Sequence, residues 1–303
     1  MSLLISAASN RAVCCIAGML ALTVATATSL HATEVALPAY VFPNDPYLQD
    51  LIDPVKTPAP PSIVIVNIGN GDTDESILDG VADQLRARTT TSGKHVQVIG
   101  YVHTDNGTRP DADIQASVDR YLTVRNSAIH YDGIFFDIVS NVCGTSDNPT
   151  AIRDKYRLAR EYVWSRLGGA TGLVVNNVGT AVPDCYLQLG HETADVFVTF
   201  EDTAAHYAVN ASSVGWQYGW VGGNVIVNGQ YSLGNEFSNV QFWHLVYNAD
   251  AADWSSTLQL TEQRNAGYVD ATDGYQVGSV LNPWTVKPSY LNAEINAAAN
   301  PQP

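Results

Sequence analysis

Gly133-Ile134-Phe135-Phe136-Asp137 and Val196-Phe197-Val198-Thr199-Phe200-Glu201 are apolar runs, dense in strand formers, that each stop on a carboxylate. Barrel strands deliver acids in this way to the face where their loops begin. Two acids presented by different strands fit glycoside cleavage, in which one carboxyl protonates the leaving oxygen and the other attacks the anomeric carbon or activates water. A single strand-terminal acid says little, because barrel rims also carry Asp and Glu in caps and ion pairs. Agreement among several strand ends says more.

Outward from these runs, strands and helices alternate. Strands are expected at 39–42, 62–66, 96–102, 133–137, 173–177, 196–201, 240–246 and 266–270. Between them, Ile77, Val81 and Leu85 recur at helical spacing, as do Ile114, Val118, Tyr121 and Leu122. Further helices are expected around 47–51 and at 151–167, the latter entered through Asn148-Pro149 and stopped by Gly168-Gly169. Eight such units predict an α/β fold, a TIM-type (β/α)8 barrel. Between strands six and seven, residues 214–237 are rich in Gly and aromatics, and Val225-Ile226-Val227-Asn228-Gly229 is a hairpin signal. A β-hairpin insertion is expected there.

The chain has 303 residues, 46% hydrophobic and 15% charged, enough to bury the core of one large domain. Residues 1–32 read as a signal peptide: Arg11, an apolar run at 12–22, small residues through Ala27 and a cleavage site after Ala32. The run dissolves into Thr and Ser before reaching the roughly 20 residues of a membrane span. A single barrel domain is therefore expected over 33–303, on the extracellular side or retained in a periplasm or at the cell surface. Beyond the leader, Cys143 and Cys185 remain as an even pair in an oxidising compartment and form a disulfide candidate.

Without the leader, 14 basic residues face 30 acidic ones, a net charge of −16. Nucleic acid and anionic membranes are poor partners for such a surface; a neutral or cationic substrate fits better, though charge alone is explained first by the need of an exported protein for a soluble surface. His191, His206 and His244 lack metal-ligand spacing, and His191-Glu192 has Asp195 where a zinc helix needs its second histidine. Neither a G-x-S-x-G elbow nor a phosphate-binding or dinucleotide loop is present. No metal or cofactor is expected.

The strand ends carry a resemblance. Pro38-Ala39-Tyr40-Val41-Phe42-Pro43, Val64-Ile65-Val66-Asn67, Gly100-Tyr101-Val102-His103-Thr104-Asp105-Asn106-Gly107-Thr108-Arg109, Asp132 to Asp137, Val175-Asn176-Asn177-Val178-Gly179-Thr180 and Phe200-Glu201-Asp202 follow one another as in the spherulation-specific family 4 (spherulin-4-like) proteins. The resemblance runs from residue 38 to Tyr290 and is densest over 62–207. It implies a secreted barrel like those of the family's enzymatic branch, glycoside hydrolase family 135, which cut α-1,4-linked N-acetylgalactosamine in galactosaminogalactan-type exopolysaccharides. By that resemblance the enzyme is endo-acting and retaining, with Asp137 as nucleophile and Glu201 as general acid/base. The residues themselves support the pair but not its division of labour, and stereochemistry depends on a carboxyl separation that a sequence does not give.

Two positions depart from the family pattern. Ile138 stands where the family follows its strand-four Asp with Glu, and Val178 where it tends to have Pro. Alternation along a strand turns Ile138 away from Asp137 and into packing, which leaves the pair intact; the other reading is altered or lost turnover. A non-catalytic carbohydrate-binding barrel or a structural extracellular protein is the alternative function. Asn67, His103 and Thr104 are candidates to bind sugar hydroxyls or acetamide groups, or else to satisfy loop backbone at the rim. Asn177 joins the substrate-binding set. Tyr40 and Tyr101 line the cleft floor or the core, Trp216 stacks on sugar or holds the insertion down, and Asp270 joins the acidic cleft or serves as a cap.

Overall fold

The computed structural model describes residues 33–209, 224–227, 230–233, 241–275 and 281–300. The expected signal peptide, Trp216 and the segment around it lie outside the described residues. In chain order the strands are β1 (Glu34–Ala39), β2 (Ile63–Val66), β3 (Gln97–His103), β4 (Gly133–Asp137), β5 (Leu173–Asn177) and β6 (Val182–Pro183). They continue with β7 (Val196–Thr203), β8 (Asn224–Val227), β9 (Gln230–Leu233), β10 (Phe242–Tyr247) and β11 (Tyr268–Ala271). Eight of them close a parallel barrel in the order β1-β11-β10-β7-β5-β4-β3-β2, a TIM-type (β/α)8 fold. The helices α1 (Pro46–Ile52), α2 (Asp79–Arg86), α3 (Asp111–Leu122), α4 (Ala151–Arg166), α5 (Ala204–Ala208), α6 (Trp254–Gln263) and α7 (Leu291–Ala299) lie between and after the strands.

Successive side chains of a strand face opposite ways, and the barrel divides its core accordingly. Ala36, Ile63, Ile65, Ile99, Tyr101, Phe135, Val175, Val198 and Trp243 fill the barrel interior. Their neighbours Leu37, Val64, Val98, Ile134, Val174 and Phe197 pack outward in the layer shared with the helices. Strands buried on both faces explain the unbroken apolar runs of the sequence.

The first strand differs from expectation, running over Glu34–Ala39 and not over 39–42. Pro38 reads as a strand breaker, yet its missing N–H costs nothing here. Glu34 donates to Gly267 on the β11 side while Val35 accepts from Ser62 on the β2 side, so Pro38 faces β11, whose pairing with β1 has already ended at Val35. The expected insertion is present as the antiparallel pair β8–β9, and it docks on β6 to make a small three-stranded sheet. No α-helix lies between β5 and β7; β6 and the turn at Asp184–Tyr186 occupy that connection.

Cys143 and Cys185 are bonded, 42 residues apart in sequence. The bridge ties the loop after β4 to the loop after β5. Replacing both by serine should lower unfolding stability by about 3 to 4 kcal/mol by the chain-entropy relation, read from urea unfolding as the free energy extrapolated to water.

Candidate active site

Simple alternation from Phe135 and Val175 carries Asp137 and Asn177 inward at the C-terminal mouth of the barrel. β7 arrives there by another route. Val198 opposes Trp243 and Phe200 opposes His244, so Thr199 is an extra residue in the ladder. A bulge reverses the alternation beyond it. Val198 therefore faces the interior, Phe200 packs outward with Tyr207 and Val246, and Glu201 returns to the inside. A buried polar chain anchors the extra residue: Thr199 Oγ1 meets His244 Nε2 at 3.2 Å, and Tyr207 Oη meets His244 Nδ1 at 2.6 Å. Burial pushes His244 down to about 3, so the ring is a neutral link.

Nδ2 of Asn177 lies 2.7 Å from Oδ1 of Asp137 and 2.6 Å from Oε2 of Glu201. An amide nitrogen has two hydrogens, and here each goes to a different carboxyl. The two oxygens so held are at most about 5.3 Å apart. Tyr101 donates its hydroxyl to Asp137 Oδ2 at 2.5 Å, and Trp284 Nε1 donates to Glu201 Oε1 at 3.3 Å. Tyr40 packs edge-on against Tyr101 with ring centroids 5.4 Å apart. Each carboxyl oxygen of the pair thus has a donor of its own, which fixes both groups in orientation.

Burial raises both acids. For Glu201 the nearby Asp137 and Asp202 carboxylates add to it, against the bonds from Asn177 and Trp284, and the group reaches about 7. Asp137 is also raised by burial, while hydrogen bonds from Tyr101, the Ile138 backbone and Asn177, and the charge of His103, act the other way. Burial, with Asp137 beside it, drives Tyr101 far above its ordinary range and keeps it a donor. Two close carboxyls with unequal surroundings can divide one proton between an acid and a base.

Other expected site residues are placed differently. Thr104 is fully buried, and its hydroxyl meets the carbonyls of Asp137 and Ile138 and the Tyr156 hydroxyl, so it holds a backbone corner. Asn67 exchanges bonds with Asn70 through both its amide atoms and shapes the loop after β2. His103 has both ring nitrogens engaged by aspartates. Ile138 does not enter packing: β4 ends at Asp137, the next residue takes φ 53°, and its side chain is 44% exposed. Asp270 is 1% exposed, and its carboxyl sits near Glu294 of α7 and Asp273. Trp284 was not foreseen. Its only sequence signal is Asn282-Pro283, which caps the short turn Pro283–Thr285 and accepts from the Trp284 amide at 2.9 Å.

The model of spherulation-specific family 4 (Spherulin4) matches residues 34–298. The chain belongs to this family. Spherulin-4 of Physarum polycephalum is 25% identical over 188 residues, covering 62% of this chain and 50% of the relative, so the chain spans about half that relative's length. Among solved structures, Sph3 of Aspergillus clavatus, solved in complex with GalNAc, has the same fold: TM-score 0.58 at 19% identity over 89% of this chain and 100% of Sph3. A looser likeness, TM-score 0.44 at 12% identity over 80% of this chain and 94% of the other, is to the glycoside hydrolase domain of PgaB (BpsB) from Bordetella bronchiseptica. Within this spherulin-4 barrel the cluster formed by Asp137, Asn177, Glu201, Tyr101, Tyr40 and Trp284 is contributed by segments from β1 to beyond β11, so the site exists only once the barrel is closed.

The Asp270 carboxyl leads to a stability prediction. Asp270 Oδ1 and Glu294 Oε2 are buried without hydrogen-bond partners, and burial pushes both carboxyls well above their ordinary range. Below about pH 3 folded and unfolded chains both hold these protons. As pH rises, the unfolded chain releases them first, so stability falls until the folded groups ionise. Asp270→Asn should be more stable than the parent by about 1 to 3 kcal/mol at neutral pH and equal to it near pH 3, measured by denaturant unfolding at both pH values.

Proposed function

We propose that the chain is a secreted, endo-acting glycoside hydrolase that cuts an exopolysaccharide of α-1,4-linked N-acetylgalactosamine and galactosamine with retention of configuration. The Asn177 bridge carries this reading. It holds one oxygen of Asp137 and one of Glu201 at most about 5.3 Å apart, a ceiling that accommodates the roughly 5 to 5.5 Å of retaining pairs and lies below the roughly 6.5 to 9.5 Å of inverting ones.

In the first step an Asp137 oxygen attacks the anomeric carbon, the glycosidic C–O bond breaks, and the Glu201 proton passes to the departing oxygen. In the second, Glu201 takes a proton from water, the hydroxyl adds to the same carbon, and the bond to Asp137 breaks. The raised Glu201 suits the acid, since a group near 7 still holds its proton at mildly acidic pH. Donors from Tyr101 and Asn177 suit Asp137 to charge. The choice of sugar follows the family resemblance and is supported by the GalNAc in the Sph3 structure. Export is supported by the leader-like residues 1–32 and the Cys143–Cys185 bridge; among the described residues no helix is long and apolar enough to cross a membrane.

Purified galactosaminogalactan, with its deacetylated form beside it, should release reducing ends with the parent protein, and at least 100-fold more slowly with Asp137→Asn or Glu201→Gln at matched folding. Glycan binding without turnover by the parent would instead favour a carbohydrate-binding barrel. The rate should fall as pH rises through about 7, where Glu201 loses its proton. Removing a neighbouring negative charge lowers a carboxyl pKa, so Asp202→Asn should move this basic limb down, by up to about one unit, in a profile of kcat/KM against pH.

A further inference from the structure

His103 ends β3, and the register with β4 sets it directly across from Asp137. Neither ring nitrogen is left for a sugar. Nε2 lies 3.0 Å from Oδ2 of Asp72 and Nδ1 lies 2.9 Å from Oδ1 of Asp105. Ionised carboxylates only accept, so with both aspartates charged each ring nitrogen has to donate, which only the doubly protonated ring can do. Asp72 is secured from behind: Arg109 Nη2 donates to its Oδ1 at 2.6 Å, and Arg120 stands 3.8 Å away. Burial pushes Asp72 up, but the bond from His103 and the Arg109 charge outweigh it and hold the carboxyl below its usual range. Arg109 also donates to the His103 carbonyl at 2.9 Å.

The corner that carries this clamp is strained. Asp105, Asn106 and Ile138 have φ of 51°, 54° and 53°, in the left-handed region. Each costs a non-glycine residue about 1 to 2 kcal/mol, and a β-branched isoleucine is the least suited of all. The Ile138 carbonyl accepts from the Asn106 amide at 2.7 Å and from Thr104 Oγ1 at 2.8 Å. The loop that presses Asp105 on His103 is thereby fastened to the residue that follows Asp137. Strain of this kind persists where surroundings over-determine the backbone, and it gathers at functional sites.

We propose that His103 is a positioning residue of the reaction: clamped as a cation between Asp72 and Asp105, it adds to the donors around Asp137 and so helps make Asp137, and not Glu201, the charged member of the pair. The inference rests on the Asp137–Glu201 reading and gives that pair its polarity. Among the described groups, Asp137 faces Tyr101 and His103 of β3, Tyr40 after β1, Asn177 of β5 and Glu201 of β7. Glu201 faces Asp137, Asn177, Trp284 and the Asp202 carboxylate. The bonds from Tyr101, the Ile138 amide and Asn177 favour the charged form of Asp137, and a cation beside it, with an anion beside Glu201, widens the gap between two groups that burial alone would raise together.

The test compares the parent with the neutral variants His103→Gln and His103→Asn and the charge-retaining His103→Arg, each checked for folding by thermal unfolding. Two quantities are followed against pH: the carbon signal of the Asp137 carboxyl in protein labelled at aspartate, assigned by its loss in Asp137→Asn, and the acid limb of kcat/KM. Both should move up by about one pH unit in the neutral variants and stay near the parent in His103→Arg. An Asp137 titration unmoved in a folded neutral variant would overturn the proposal and leave the clamp a loop fastener. The carboxyl titration needs no turnover, so it decides the role of His103 even if the parent cuts no glycan, an outcome that would count against the hydrolase reading instead.

Discussion

The amide of Asn177 has two hydrogens, and because each is donated to a different carboxyl, Asp137 and Glu201 cannot part without leaving a buried donor unpaired. Such a loss costs about 1 to 3 kcal/mol, enough to hold three strand ends at one height. The rest of the site is organised around that constraint. β4 and β5 are neighbours in the barrel, and the Cys143–Cys185 bridge joins the loops that leave them. Trp284, beyond the last strand, holds the other side of Glu201 from a turn capped by Asn282. The division of charge between the acids then follows from what surrounds each: donors from Tyr101 and Asn177, with His103, toward one, and Asp202 toward the other.

The bulge in β7 shows where reading the sequence stops. Val196 to Glu201 is plainly a strand ending in an acid, and Asp137 is as plain on its own strand. Strict alternation, however, places Val198 and Glu201 on opposite faces, and only the extra Thr199 brings both inside. Nothing in the six residues marks the insertion, because it is defined by the partner strand and anchored by His244, Tyr207 and Thr261 from three other elements. The barrel, the hairpin and the paired cysteines were legible since each depends on local pattern or composition. Hydrogen-bond partners were not. Asn67 and Thr104 have the chemistry to bind a sugar, but Asn67 is bonded to the backbone of its own loop and Thr104 to carbonyls at the end of the neighbouring strand β4. First-strand bounds were misplaced for a similar reason: the harmlessness of Pro38 depends on where β11 stops pairing.

Ile138 joins the two kinds of information. The sequence marks it as a departure from the family, and the structure adds that it occupies a backbone region an isoleucine disfavours. Its side chain is at the surface of the mouth, while its carbonyl is spoken for by the loop after β3. A change of side chain here alters what a substrate would meet beside Asp137, whereas the main-chain corner is held by contacts that any residue could make.

The β1–β11 seam sets how the barrel moves. Every other seam is a ladder of three or more paired residues, but this one has two, after which the gap is closed by side chains: Glu294 of α7 accepts the Ala271 amide and Tyr47 of α1 reaches the Pro38 carbonyl. A stave joint held by a clasp opens when the clasp lifts. Local opening of the C-terminal helix, which needs far less energy than global unfolding, would release the Ala271 amide to solvent exchange while the ladders around β3, β4 and β5 stay shut. The strands that carry Asp137 and Asn177 thus lie across the barrel from the seam, whereas Trp284, bonded to the Tyr40 amide just beyond β1, ties the seam to Glu201, so breathing there reaches the pair from the Glu201 side.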